Sequence, residues 1–141
     1  GQVKEDIRNL FSVPIHPMGY LSDESKIVEL YNAVDVFITS SLEENLPNTI
    51  MESMACGTPC VGFEIGGIPE MIDHKINGYV ANYMDANDFA NGIQWILNNP
   101  NPQVLSDACV KKVQENYAEQ IVAEKYLALY QNLLHNSDER L

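Results

Sequence analysis

Residues 34–67 read VDVFITSSLEENLPNTIMESMACGTPCVGFEIGG, and the order of elements within them predicts the fold class. Two short runs rich in β-branched and aromatic residues, Val34–Thr39 and Cys60–Ile65, have the composition of strands. Between them we predict a helix with Pro47 at its first position and Gly57 just past its end. A strand, a helix and a strand in this order predict a parallel βαβ unit. Its first loop lies at the carboxyl ends of the strands, where open α/β sheets bind ligands.

The first loop and the helix after it carry polar groups that suit a nucleotide. The loop contains Ser40, Ser41, Glu43, Glu44 and Asn45. The helix is predicted to have an apolar face of Leu46, Ile50, Met51, Met54 and Ala55, which leaves Asn48, Thr49 and Glu52 on another face. From Pro47 to Glu52 the helix rises roughly 7–8 Å, about the distance from a phosphate at its start to a hydroxyl further along a nucleotide. Free amides near Asn48 to Ile50 would hold the phosphate. A plainer interpretation is that Asn45 caps the helix and Glu52 is a solvated surface acid.

The order of the motifs along the chain identifies a protein family more specifically than any single motif does. The spacing Glu44-x7-Glu52 is followed by GGIPE at residues 66–70 and by NGYV at residues 77–80. Together they closely resemble the carboxy-terminal, donor-binding domain of retaining glycosyltransferases with the GT-B fold, over about residues 15–97. That family uses nucleotide-activated sugars. The resemblance implies an α/β domain with a Rossmann-like, mainly parallel sheet flanked by helices.

The resemblance also implies roles for individual residues. In such enzymes the first glutamate of the pair, here Glu44, faces the sugar, and the second, here Glu52, binds the ribose hydroxyls. The diphosphate lies at the helix start, against the backbone of residues 46–49. The segment NLPN, which is Asn45, Leu46, Pro47 and Asn48, stands where many members have a glycine-rich or aromatic sequence, so the identity of the sugar stays open.

Two further pairs of residues are candidates for donor contacts. The loop after a strand predicted at Val13–Met18 lies beside the nucleotide base in the resembled family, so Tyr20 and Leu21 are candidates there, with a plain packing role as the alternative. Gly66 and Gly67 alone indicate only a tight turn. The resemblance implies that their backbone approaches the sugar.

The remaining chain is predicted to complete one domain over residues 1–141, because this length suffices for a single core. Further elements are predicted as a helix tail at Lys4–Phe11, a helix from Ser22 with Ile27, Val28, Leu30, Tyr31 and Val34 on its apolar face, a strand at Tyr79–Asn82, and helices at Asp85–Leu97, Pro102–Tyr117 and Glu119–Leu134. The apolar stripe of the last helix is interpreted as core or interdomain surface, and it comprises Ile121, Tyr126, Leu129, Tyr130, Leu133 and Leu134.

The composition excludes several classes of partner. With 20 acidic and 8 basic residues the formal charge is −12, which argues against nucleic acid and anionic membrane as direct partners. No apolar run reaches the length of a membrane span. Cys56, Cys60 and Cys109 form no metal pattern, so we expect free thiols, the first two of them buried, in a cytoplasmic protein. Any contact of the intact protein with the inner face of a membrane is expected to be made by another domain.

The resembled domain has two more strands before the point where this chain begins. In the order 3-2-1-4-5-6, Val13–Met18 would be the third strand and Val34–Thr39 the fourth, and both would lack their neighbours. Residues 1–141 are therefore expected to leave strand edges exposed, to close the gap between these two strands by an unusual pairing, or to form a strand-exchanged homodimer.

The function implied by the resemblance is sugar transfer from a nucleotide-sugar to a polysaccharide, glycolipid or other acceptor, without a metal ion or other cofactor. The acceptor would be bound by an amino-terminal domain of the same protein. Two alternatives stay open because one fold hosts many functions. They are a non-catalytic nucleotide-sugar-binding or regulatory module, and a nucleotide-sugar epimerase of related fold.

Overall fold

The computed structural model describes residues 11–138, and within them the chain forms three strands and six helices. The strands are β1 (Phe37–Thr39), β2 (Cys60–Phe63) and β3 (Gly78–Ala81). The helices are α1 (Glu24–Asn32), α2 (Asn48–Ala55), α3 (Ile68–Met71), α4 (Ala86–Leu97), α5 (Pro102–Asn116) and α6 (Glu119–Asp138). Most of the helix predicted at Lys4–Phe11 lies outside the described residues.

The three strands form one parallel sheet in the order β1-β2-β3. Ile38 lies opposite Val61, and Val61 lies opposite Tyr79. This confirms the parallel βαβ unit, with α2 as the crossover from β1 to β2. Both of its strands are shorter than predicted. The second ends early because the amide of Ile65 turns back to the carbonyl of Phe63, at 2.8 Å.

The strand predicted at Val13–Met18 is wrong. The segment forms no ladder with any described residue, and all of its side chains except Ile15 are exposed. Two prolines remove amide donors from the segment, and no described strand lies beside it to pair with. β1 is consequently an open edge of the sheet among the described residues, which was one of the three expected outcomes.

Helix α2 is eight residues long and begins one residue later than predicted. Pro47 is its N-cap residue, and no side chain caps the helix, so the interpretation of Asn45 as a cap is wrong. Gly57 has a φ of +79°, which confirms the left-handed turn just past the helix end. Ile50 and Met54 are fully buried, but Leu46 and Ala55 are exposed, contrary to the predicted apolar face.

The core lies on both faces of the sheet, because successive residues of a strand point to opposite faces. Cys60 joins a cluster with Ile50, Met54, Ile68, Met71, Ile72 and Cys109. The next residue, Val61, joins a cluster with Phe63, Tyr79, Ala81, Phe89, Ile96 and Leu105. Each large side chain buried in this way contributes roughly 1.5–3 kcal/mol, so the two clusters hold α2, α4 and α5 against the sheet.

Local signals at the start of the last three helices are confirmed. The carboxylate of Asp85 accepts hydrogen bonds from the amides of Asn87 and Asp88, at 2.9 and 3.0 Å, and so caps α4. Helices α5 and α6 begin at the predicted residues. The apolar stripe of α6 does not pack on the core, because Tyr126, Leu129, Tyr130, Leu133 and Leu134 are each more than half exposed. An interdomain role for this stripe remains a prediction.

The three cysteines are free, and two of them are buried. Cys60 and Cys109 have no exposed surface, and burial raises the pKa of Cys60 to about 12. Cys56 is only half-buried, so its predicted burial is wrong: it follows the last residue of α2, at the surface. No helix in residues 11–138 is both long and apolar enough to cross a membrane.

Candidate functional site

The loops that follow the three strands contact one another at the carboxyl edge of the sheet. The amide of Gly67 donates a hydrogen bond to the carbonyl of Asn45, which joins the second loop to the first. The hydroxyl of Tyr83 donates to the carbonyl of Leu42 at 3.2 Å, which joins the third loop to the first. The ring of Phe63, the last residue of β2, meets the ring of Tyr83 edge-on at 6.4 Å. The loop that carries Glu44 is therefore held from two sides.

Gly66 and Gly67 are required here by the backbone of the neighbouring loop. Gly66 has a φ of +54°, and a Cβ atom on it would lie 2.7 Å from the carbonyl carbon of Glu44. A Cβ atom on Gly67 would overlap the backbone carbonyl oxygen of Asn45. Both contacts are with backbone atoms and closer than van der Waals contact, so only glycine allows the two loops to approach this closely. The implied approach to a sugar remains a prediction beside this structural role.

A cleft of about 530 Å³ lies along the open side of β1, between α1, α2 and the segment before α1. Four of the predicted site residues line it: Tyr20 and Leu21 from the segment before α1, and Thr49 and Glu52 from α2. Its other walls are largely apolar and are formed by Met18, Gly19, Ile27, Leu30, Tyr31, Val34, Val36, Phe37 and Ile38. Tyr20 is 89% exposed, which argues against the packing role considered for it.

Glu52 is exposed, as predicted, but it is not only a solvated acid. Its Oε2 accepts a hydrogen bond from the hydroxyl of Tyr31 at 3.3 Å. Burial of the tyrosine, followed by the charge of Glu52, raises the pKa of Tyr31 to about 12, so the phenol is protonated and donates at neutral pH. The sequence placed Tyr31 only on the apolar face of α1. A signal was available, because a buried tyrosine hydroxyl usually has a hydrogen-bond partner.

The other seven predicted residues do not line this cleft. Glu44 is half-buried in the loop after β1, and Asn45, Leu46 and Asn48 are exposed. The amide of Ile50 is bonded to the carbonyl of Pro47 at 3.1 Å, so the expectation that it is free is wrong. No carbonyl in the described part of the chain accepts from the amides of Asn48 or Thr49. Two amides at the start of α2 are therefore available to an anion.

The electrostatics of the cleft are simple. Glu52 is the only charged residue that lines it, so no lysine or arginine of the described chain stands ready for a phosphate there. Within residues 11–138 no three His, Cys, Asp or Glu side chains are grouped so that they could hold a metal ion.

A larger cleft of about 590 Å³ lies at the amino ends of the strands, beside Asp35 and Pro59. That is the end opposite to the one at which parallel sheets bind ligands.

Comparisons with known proteins agree with this fold. A family model described as glycosyl transferases group 1 matches residues 1–99. The chain is 30% identical over 117 residues to N,N'-diacetylbacillosaminyl-diphospho-undecaprenol alpha-1,3-N-acetylgalactosaminyltransferase of Campylobacter jejuni, a match that covers 83% of this chain and 31% of that relative. The chain thus spans about a third of the length of the curated relatives that it matches.

Solved glycosyltransferase structures have the same fold. The structure superposes on a glycosyltransferase from Rickettsia africae with a TM-score of 0.69 at 28% identity, over 79% of this chain and 31% of that one. It superposes on Anabaena Alr3699/HepE in complex with UDP-glucose with a TM-score of 0.63 at 25% identity, over 74% and 30% of the two chains. The family model covers well over half of the chain, and the parallel sheet agrees with it. The chain belongs to the glycosyl transferases group 1 family.

Proposed function

We propose that the chain is the donor-binding part of a retaining glycosyltransferase, which moves a sugar from a nucleoside diphosphate to an acceptor. One observation carries the proposal. A single cleft beside β1 brings together Tyr20 and Leu21, before α1, with Thr49 and Glu52, on α2. These residues are far apart in sequence, and the family resemblance implies that each of them contacts the same ligand.

The cleft suits a nucleoside. Its apolar walls can pack against a base, beside Tyr20 and Leu21. The carboxylate of Glu52 can accept hydrogen bonds from both ribose hydroxyls, since an ionised carboxylate has about four lone-pair sites and one is used by Tyr31. Thr49 lies one helical turn nearer the start of α2, so the same helix face leads from the ribose toward the phosphates.

The diphosphate would bind at the start of α2, where the amides of Asn48 and Thr49 have no carbonyl acceptor in the described chain. A helix start carries a partial positive charge of roughly half an elementary charge. With a formal charge of −12 on the whole chain, the phosphates also need basic groups from outside the cleft. We propose that amides and such basic groups stabilise the leaving diphosphate and that no metal ion is used.

Glu44 is proposed to face the transferred sugar. Its carbonyl is packed against Gly66, and the carbonyl of the next residue, Asn45, is bonded to Gly67, so the backbone that carries the carboxylate is fixed. A fixed backbone suits a group that must stabilise charge in the transition state, because no reorganisation is needed during the reaction. Pro47 contributes through the position that it gives to the helix start.

The relatives are about three times as long as the chain, which supports a further, acceptor-binding domain in the intact protein. The Campylobacter relative is named for a lipid-linked diphospho-undecaprenol acceptor. We propose an acceptor of the same general kind, a polysaccharide or glycolipid precursor, and a cytoplasmic site of action. Residues 1–141 alone are proposed to bind nucleotide weakly and to transfer no sugar, and their open β1 edge would allow a strand-exchanged homodimer.

Binding of UDP, GDP and ADP to the intact protein, measured by titration calorimetry, tests the assignment. Glu52→Ala should weaken binding of the preferred nucleotide about 5- to 150-fold, because a charge-assisted hydrogen bond contributes roughly 1–3 kcal/mol. Glu29→Ala is the matched control: Glu29 is an exposed acid of α1 that does not line the cleft. Equal affinity in wild type and Glu52→Ala would contradict the site.

Turnover of the bound nucleotide-sugar distinguishes the three functions. A transferase releases nucleoside diphosphate when acceptor is present. A binding or regulatory module holds the nucleotide-sugar without turnover, and an epimerase alters it with no acceptor. Release of diphosphate that depends on acceptor supports the proposal, and either of the other two results contradicts it.

A further inference from the structure

Tyr31 is held at the end of α1 by two contacts, one through its ring and one through its backbone carbonyl. Its side chain is 8% exposed, and its ring meets that of Phe37 in β1 edge-on at 5.7 Å. Its carbonyl accepts a hydrogen bond from the hydroxyl of Thr58 at 2.7 Å, from the turn that leads into β2. Backbone and ring are therefore both fixed, and the position of the phenolic oxygen is fixed with them.

The phenolic oxygen lies beside the carboxylate of Glu52. The hydroxyl reaches Oε2 of Glu52 at 3.3 Å, across 21 positions of sequence. No other donor in the described chain bonds the Glu52 carboxylate. The carboxylate thus has one oxygen bonded to a rigid partner, while the other is open to a ligand.

The Tyr31–Glu52 pair stands between two clefts. Both residues line the cleft of about 530 Å³ that contains Tyr20, Leu21 and Thr49, and both also line a smaller apolar cleft of about 340 Å³ between α1 and α2. An unrestrained glutamate on α2 could turn its carboxylate toward either one. The hydrogen bond from Tyr31 limits this choice, because a long side chain loses rotamer freedom when its end is bonded to a fixed group.

We propose that Tyr31 is a positioning residue, which holds the Glu52 carboxylate in place to receive the ribose hydroxyls of the nucleoside diphosphate. The inference rests on the proposed function, and it adds a residue that does not belong to the Glu-x7-Glu motif. A carboxylate that is already oriented loses less conformational freedom when the ligand binds, so the tyrosine hydroxyl increases affinity through Glu52.

A double-mutant cycle tests the inference in the intact protein, with wild type, Tyr31→Phe, Glu52→Ala and the double variant. Binding is measured by titration calorimetry for UDP, with GDP and ADP in parallel, and for the 2′,3′-dideoxy analogue of the nucleotide that binds. Tyr31→Phe should weaken binding of the ribonucleotide about 3- to 10-fold. It should leave binding of the dideoxy analogue unchanged, and it should have no further effect in the Glu52→Ala background.

Tyr79→Phe is a matched control. Tyr79 is also 8% exposed, and its hydroxyl also donates to a carboxylate, Oδ1 of Asp88, at 2.7 Å, but neither residue lines the cleft. This variant should bind both nucleotides as wild type does. The comparison shows whether an effect of Tyr31→Phe is specific to Tyr31 or would follow from the loss of any buried tyrosine hydroxyl.

Each of the remaining outcomes leads to one conclusion about the inference and the proposed function. Equal weakening for ribose and dideoxyribose ligands would show that Tyr31 only packs, and the inference would be overturned. Normal binding by Tyr31→Phe together with weak binding by Glu52→Ala would overturn the inference and leave the proposed function standing. Normal binding by Glu52→Ala would overturn both.

Discussion

The amide of Gly67 is bonded to the carbonyl of Asn45, and the two residues come from different loops at the same edge of the sheet. The neighbouring pair is in contact as well, since Gly66 packs against the carbonyl of Glu44. A turn after β2 therefore determines where the backbone of the loop after β1 lies. The conformation of the proposed catalytic loop depends on two glycines about twenty positions further along the chain.

Gly66→Ala should lower the free energy of unfolding by about 2 kcal/mol or more. The φ of +54° is strained for alanine, and its Cβ would meet the Glu44 carbonyl, so conformational cost and steric overlap add together. Denaturant titration measures the loss. Gly19→Ala is the control, because Gly19 has a φ of +69° but no atom within 4 Å of the added Cβ. It should cost only the roughly 1–2 kcal/mol of the left-handed conformation itself, and equal losses in the two variants would contradict the packing argument.

Glu44→Gln should reduce kcat of the intact enzyme about 100-fold while the affinity for donor changes little. The reason is that a group facing the reacting sugar acts mainly in the transition state, whereas Glu52 acts on the bound nucleotide. Steady-state kinetics with saturating acceptor measure both parameters. Glu43→Gln, a change in the exposed acid next to it, should leave kcat near wild type. Unchanged kcat in Glu44→Gln would remove Glu44 from the mechanism.

The cysteines should differ in reactivity toward a thiol reagent at pH 8. Burial raises the pKa of Cys60 to about 12 and raises that of Cys109 further, so almost no thiolate forms at either position in the folded protein. Burial raises the pKa of Cys56 as well, but this thiol is only half-buried and should react first. Titration of residues 1–141 should find three thiols after unfolding without reductant. Fewer than three would indicate a disulfide and would contradict the free thiols described above.

Residues 1–141 alone should self-associate through β1, which has no strand beside its outer edge in the described chain. Ile38, in the middle of β1, is 50% exposed, and Ile38→Lys should weaken association about 10-fold or more, because an edge lysine opposes strand pairing. Sedimentation measures the effect. Val28→Lys places the same charge on a similarly exposed residue of α1, at 47% exposure, and should change nothing. Monomeric wild-type chain at high concentration would contradict the prediction.

The ends of helices in this fold were predictable because the residues that determine them lie within a few positions of those ends. Pro47 and Gly57 bracket α2 to within one residue, and Asp85 caps α4, because proline, left-handed glycine and a capping carboxylate act on the backbone next to them. The crossover from β1 to β2 was predictable for a related reason. A helix between two short strands leaves little alternative to a parallel pairing.

The strand predicted at Val13–Met18 failed because strand formation is not a local property. A run of apolar residues becomes a strand only when a neighbour supplies hydrogen-bond partners, and the described chain contains none beside this segment. The apolar stripe of α6 depends on its surroundings in the same way, and of its two interpretations only packing on the core is wrong. Its spacing predicts a buried face, but burial depends on what lies opposite, and the described core does not reach it.

The family and the parallel βαβ unit could be read from the sequence, since both depend on residue types at short spacings, and the roles of Glu44 and Glu52 stay predictions from the same pattern. Only the tertiary structure decided that Tyr31 bonds Glu52 and that Gly66 packs against Glu44. Both relationships join residues more than twenty positions apart, and the geometry of each depends on how helices and loops pack around the sheet. A spacing along the chain contains no information about that geometry, because side-chain directions across an interface are set by the packing of the whole core.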